Sequence, residues 1–175
     1  MMMKSGDQIF YPMQGVGIIE SIETHQFTEV PMEYYKVYFP LNRMNILIPQ
    51  DKAAGKGMRP LATPEALDQS RAVFFGKPMK LPPDPAKRRL TIQAKIESGN
   101  LFETAAVIRD LVCMEQQQVR LTPYDRSSLQ TVCKLLALEL MFIEEVPLEL
   151  AKQLIKEDIE LRLSGDEQAF YRYKL

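Results

Sequence analysis

The 175-residue sequence predicts an α+β fold, a small N-terminal β-barrel followed by an all-α helical domain. Three observations carry that prediction. Residues 7–60 hold short segments rich in Ile, Val, Tyr and Phe, separated by Pro12, Gly15, Pro31, Pro40 and Asn42. From Thr63 onward the apolar residues recur at helical spacing, with start and stop signals around them. Between the two styles, QDKAAGKGMRP carries two glycines and a proline, which loosens the chain. The expected division is therefore a β domain at 1–62, a helical domain at 63–165 and a tail at 166–175.

The β segments are DQIFY, GVGIIESIE, MEYYKVYF and NILIP, room for five strands or fewer. In MEYYKVYF the alternation sends Tyr35, Val37 and Phe39 to one face and Tyr34, Lys36 and Tyr38 to the other, as in a half-buried strand. The first helix starts at Thr63-Pro64-Glu65, an N-cap followed by proline at the first helical position, and stops at Gly76. Four prolines in residues 76–85 make a stiff connector. Asp84 then caps and Pro85 opens a helix ending at Ser98-Gly99, and Asn100 with Glu103 three residues on opens the next. Thr122-Pro123-Tyr124-Asp125 repeats the start signal, with Leu129, Val132, Leu136, Leu140 and Ile143 as its apolar stripe. A last helix runs from Pro147 to Gly165 with the stripe Leu148, Ala151, Ile155 and Ile159, and packs back on the helical domain. The tail DEQAFYRYKL has no pattern and reads equally as a loose end or a docking segment.

Composition excludes more than it identifies. Hydrophobic residues make up 46% and charged residues 26%, so the chain can bury a core and is not a disordered one. Net charge is −1, yet it is unevenly placed: residues 71–95 hold seven Lys/Arg against Asp84 alone, and residues 139–167 hold nine acids against three basic residues. Cys113 and Cys133 lie inside apolar helical patterns and suit a reducing compartment. The start MMMKSGDQIF has no apolar signal region, and LLALELMFI is too short for a bilayer, so no membrane role is expected.

Catalytic groups are scarce. One histidine and two cysteines twenty residues apart make no metal site. Phe75-Gly76-Lys77-Pro78 has the Gly-Lys of a phosphate loop, but Pro78 replaces the required hydroxyl and Arg71 the first glycine. Gly15-x-Gly17 precedes a strand rather than a helix. No enzyme activity, cofactor or small-molecule substrate is expected.

What the sequence does offer is a basic helix. In PPDPAKRRLTIQAKIESGN, residues 82–100, a pitch of 100° per residue puts Lys87, Arg88, Thr91 and Lys95 within one arc and Ala86, Leu90 and Ala94 in a separate apolar band. Cations sharing a face suit a nucleic-acid backbone, because several must meet the phosphates together. The same run also reads as a solvated helix face.

The order of features resembles the CarD family of bacterial transcription regulators. The resemblance runs from about Gly6 to Glu145 and rests on GDQIFYPMQGVGIIESIE, EYYKVYF, ILIP and GMRP, the proline-rich joint before a basic helix, SGN, Arg109-Asp110-Leu111 and LTPYDR. It implies a Tudor-like N-terminal barrel that docks on the β subunit of RNA polymerase, much as the transcription-repair coupling factor does. It also implies a helical domain that meets promoter DNA at the upstream edge of the melted region, and a location in the cytoplasm, on the nucleoid through polymerase. Family members wedge a tryptophan at the start of the basic helix into the minor groove, where flanking cations compensate for the unstacking.

This chain has no Trp, and the wedge position falls on Pro85, which also serves as a first helical residue. Lys87, Arg88 and Arg89 stand where the family keeps its phosphate contacts, Lys95 follows on the same helix, and Arg126 matches a DNA-facing cation. These, with Pro85, are the expected DNA-binding residues. Two positions matching polymerase-facing arginines hold His25 and Leu47, so the expected dock uses His25 and the strand segment Asn45-Ile46-Leu47, whose backbone can pair with a partner strand. The alternative reading is a protein-interaction adaptor that has lost DNA engagement along with its tryptophan.

Overall fold

The computed structural model describes residues 3–27 and 29–165. The chain divides into two compact units, one built from the chain up to Leu61 together with Glu97–Gly99, the other from Ala62–Ile96 together with the chain from Asn100. The first is a five-stranded antiparallel sheet of β1 (Gln8–Tyr11), β2 (Gly15–His25), β3 (Met32–Phe39), β4 (Met44–Pro49) and β5 (Arg59–Pro60). Its spatial order is β4-β3-β2-β1-β5.

The alternation expected for β3 holds. Tyr35, Val37 and Phe39 join Ile9, Ile19 and Ile48 in one buried cluster. The β-rich composition thus converts into a sheet with one packed face, the arrangement that period-2 patterning favours. Gly17 lets β2 and β3 pack closely, because a Cβ there would stand 2.6 Å from a methyl of Val37. Residues 50–60 are more ordered than their composition suggests. They form the short helix α1 (Gln50–Ala53), a 3-10 turn over Ala54–Lys56 and β5. The cause is burial: Ala53 and Met58 enter the sheet's core, and Gly57 turns the chain between them at φ 77°.

The second unit consists of α2 (Pro64–Phe75), α3 (Pro85–Glu97), α4 (Leu101–Gln116), α5 (Pro123–Ile143) and α6 (Leu148–Ser164). The start signals act as their chemistry predicts. The Thr63 side chain accepts from the Ala66 amide, Asp84 from that of Lys87, and Asn100 from those of Phe102 and Glu103. Thr122 and Asp125 form a reciprocal capping box. Gly99 and Gly165 end their helices in the left-handed region, at φ 68° and 74°.

Every residue of α4 from Thr104 to Cys113 is buried, so this helix is covered nearly all round and is the centre on which α2, α5 and α6 pack. The α5 stripe is wider than expected. Val132 is fully buried, but Leu135, Ala137 and Leu138 are deeper than Leu129, Leu136, Leu140 or Ile143, and buried Glu139 accepts from the Ala62 amide.

The acidic last helix packs back as expected, with Ala151 and Ile155 against Ala137 and with Leu148 and Ile159 beside them. Two arginines lock it to α2. Arg71 makes a bidentate pair with Asp158, at 2.7 and 2.6 Å. Buried Arg162 donates to the Phe74 and Gly76 carbonyls at the end of α2, at 2.8 and 2.9 Å, and to the Cys113 sulfur at 3.2 Å. None of the described helices is long and apolar enough to cross a membrane. The tail 166–175, for which docking or looseness was expected, lies outside the described residues.

Candidate nucleic-acid and partner interfaces

Helix α3 carries the basic stretch, and its buried side is not the one its small apolar residues suggest. Arg88, Ile92 and Ile96 face the interior, while Ala86, Leu90 and Ala94 are exposed. The i, i+4 pair Ile92 and Ile96 sets the buried stripe, and carrying it one turn back reaches Arg88. Arg88 is therefore no surface cation, since its exposure is only 3%.

Its guanidinium is consumed inside the unit. Nε and Nη2 donate to the two Asp125 oxygens at 3.1 and 2.9 Å, and Nη1 donates to the carbonyls of Pro82 and Pro83 at 3.0 and 3.1 Å. Asp125, itself 1% exposed, also accepts from the Thr122 amide at 2.8 Å. One buried ion pair thus joins the proline connector, the first turn of α3 and the capping box of α5. The bonds to Asp125 raise the Arg88 pKa despite the opposing effect of burial. Burial pushes Asp125 up, but the bonds from Arg88 and Thr122 outweigh it and hold the carboxyl below its ordinary value. Both groups stay charged.

With Arg88 turned inward, the exposed cations of α3 are Lys87 and Arg89. At 100° per residue they straddle Leu90, which lies about 60° from one and about 100° from the other. Leu90 is 68% exposed, high for an apolar side chain on a packed helix. Arg89 lies over the Tyr124 ring, 4.7 Å from its centroid, so its guanidinium is held toward the start of α5. Arg126 is exposed on the same first turns of α5. Pro85 is exposed as the first residue of α3. Lys95 is less available, because its ammonium pairs with Glu103 at 2.8 Å and its side chain is mostly covered.

Sequence reasoning therefore placed Lys87, Arg89 and Arg126 on an accessible surface and misplaced Arg88. It also missed Leu90 as an exposed residue and Tyr124 as the support for Arg89. Arg109-Asp110 proves to be interior. Arg109 donates to Asp110 at 2.7 Å, and Asp110 accepts from the Met79 amide at 2.9 Å, which pins the connector to α4.

In the first unit, Asn45, Ile46 and Leu47 lie on β4, an outer strand paired on one side with β3. Asn45 is exposed and Leu47 half-buried, whereas Ile46 packs on the sheet's core. His25 ends β2. Its ring stacks on Phe27 at 5.2 Å, meets Tyr34 edge-on, and hydrogen-bonds Glu23 at 2.8 Å. That bond, and a second from Ser21, hold the Glu23 carboxyl below its ordinary pKa. Among the described residues there is no group of three His, Cys, Asp or Glu that would hold a metal.

Comparison with known proteins agrees with these two units. Residues 3–62 match the model of the CarD-like/TRCF RID domain, and residues 72–156 match that of the CarD C-terminal domain. YdeB of Bacillus subtilis (strain 168), named as a candidate transcription factor, is 33% identical over 147 residues, which cover 83% of this chain and 94% of YdeB. With a β unit and a helical unit that each match their family model in the same order, the chain belongs to the CarD family of transcription regulators.

Proposed function

We propose that this protein binds the β subunit of RNA polymerase through its β unit and touches promoter DNA, near the upstream edge of the bubble, through its helical unit. It thereby sets the stability of the open complex. The observation that carries the DNA half is the outer surface of α3: two exposed cations, Lys87 and Arg89, on either side of an exposed leucine. An apolar side chain that unstacks a base step needs flanking cations on the phosphates, and this helix has both. Arg126 adds a third cation from α5. Leu90, rather than Pro85, is the apolar group set between cations, which offers a substitute for the absent tryptophan.

The polymerase half rests on β4. As an outer strand it can accept a partner strand through backbone hydrogen bonds, which do not depend on the side chains at positions 45–47. Lys87, Arg89 and Arg126 by themselves give a low affinity for free DNA. Docking on polymerase offsets that, because tethering raises the local DNA concentration to around millimolar.

Photocross-linking tests the arrangement. A photoreactive amino acid replaces Leu90 in one sample and Asn45 in another, each within a polymerase–promoter complex. The expected products are DNA adducts from position 90 and β-subunit adducts from position 45. Cross-links from position 90 to protein alone would favour the adaptor reading.

A further inference from the structure

By formal charge the last helix belongs to the acidic end of the chain, yet the grooves on its two flanks differ in the charges that line them. On the side toward α2 lies a groove lined by Arg71, Leu154, Glu157, Asp158 and Glu160. On the side toward α5 lies another, of about 310 Å³, whose floor is Cys133, Ile155 and Ile159. Its charged lining residues are Lys134 of α5 with Lys152 and Lys156 of α6, and no carboxylate lines it. All three lysines are exposed. Lys152 and Lys156 pair with Glu149 at 2.7 Å and Glu160 at 3.6 Å, but these pairs lie in solvent, where they hold a lysine weakly against a competing anion.

Gln130, which lines the groove, stands one turn beyond Arg126 on α5. Arg126, Gln130 and Lys134 are exposed and follow at i, i+4 and i+8 on α5, so they share one side of that helix. From Arg126 to Lys134 the helix rises about 12 Å, the axial rise of three to four base pairs. Two cations, Arg126 and Lys134, thus stand on one side of α5, and the second of them lines the groove.

We infer that the groove between α5 and α6 is a second DNA contact, in which Lys134, Lys152 and Lys156 hold backbone phosphates beyond those met by Lys87, Arg89 and Arg126. This rests on the DNA reading proposed above and extends its footprint. The contact is with phosphates and so carries no sequence preference. Such a contact has the lysine stems run over the apolar residues Cys133, Ile155 and Ile159 and the ammonium groups reach the phosphates at the rim.

Salt dependence is the test, because each neutralised phosphate contributes about −0.9 to the slope of log K against log salt. The 175-residue protein is titrated onto a fluorescent duplex across a salt series. Compared with it are a Lys134→Ala/Lys152→Ala/Lys156→Ala triple variant, the corresponding Lys→Arg triple, and Lys87→Ala/Arg89→Ala. Six contacts predict a wild-type slope of about −5, the alanine triple about −3, and the arginine triple the wild-type value. Melting temperatures of all variants are expected to match, since the substituted side chains are exposed. An alanine triple with the wild-type slope overturns the inference. The DNA reading itself survives that result if Lys87→Ala/Arg89→Ala flattens the slope. An arginine triple that behaves like the alanine triple also overturns the inference, because charge would not then explain the loss.

Discussion

Arg88 decides how the basic stretch is used. A guanidinium offers five donors in a planar fork, and here that fork closes on one carboxylate and two proline carbonyls away from water. Removing one partner of such a pair leaves an uncompensated buried charge, which costs about 3–5 kcal/mol. Arg88→Met is expected to lower stability by that amount in a denaturant titration, whereas Lys87→Ala leaves it within about 0.5 kcal/mol. The pair also has a pH signature. Asp125 has a lower pKa folded than unfolded, so the stability it contributes is complete above its unfolded value, near 4, and is lost as pH falls through the folded one. The difference in melting temperature between wild type and Asp125→Asn is therefore expected to be constant from neutral pH to about pH 5 and to narrow below about pH 4. A difference that instead shrinks between pH 7 and 5 would assign the effect to another group. Nothing in the triplet Lys87-Arg88-Arg89 distinguishes its middle residue by composition. Its role became legible only from Ile92 and Ile96, which define the buried stripe more strongly than the alanines do.

At the level of elements, helix boundaries were legible because their chemistry is local. Thr63, Asp84, Asn100 and Thr122 bond amides within three residues, and Gly99 and Gly165 meet a backbone requirement of their own position. The short α1 and β5 were not legible, since Ala53 and Met58 are ordered by contacts far away in sequence. The rotation of α3 failed for the same reason. So did the role of Arg162, which reads as one cation in an acidic helix and instead satisfies carbonyls at the end of α2. Arg162→Met is expected to cost about 2–4 kcal/mol, because a buried charge-assisted hydrogen bond is worth about 1.5–3 kcal/mol and two carbonyls lose their donor. Thermal unfolding followed by circular dichroism checks this. An unchanged melting temperature would mean that α6 contributes little to the helical unit.

Over the whole molecule, a net charge of −1 conceals sorted surfaces. Cations gather on the outer side of α3 and along α5, and carboxylates beside Arg71 on the other flank of α6. A near-neutral chain is expected to bind free DNA weakly and to need an anchor, which is why the proposed function gives the β unit and the helical unit separate partners. The two-unit organisation was readable from the change of period at Thr63, and the family from motifs spread along most of the chain. The exposed side of α3 was only half readable, because a helix's exposed side is fixed by what packs beneath it. The most direct test is the lifetime of open complexes formed by bacterial RNA polymerase on a promoter, measured without the protein, with it, and with its Lys87→Ala/Arg89→Ala variant. The account predicts that the wild-type protein lengthens the lifetime and that the variant, still bound to polymerase, returns it toward the value without the protein. A variant that lengthens the lifetime as much as wild type would contradict the claim that α3 holds promoter DNA.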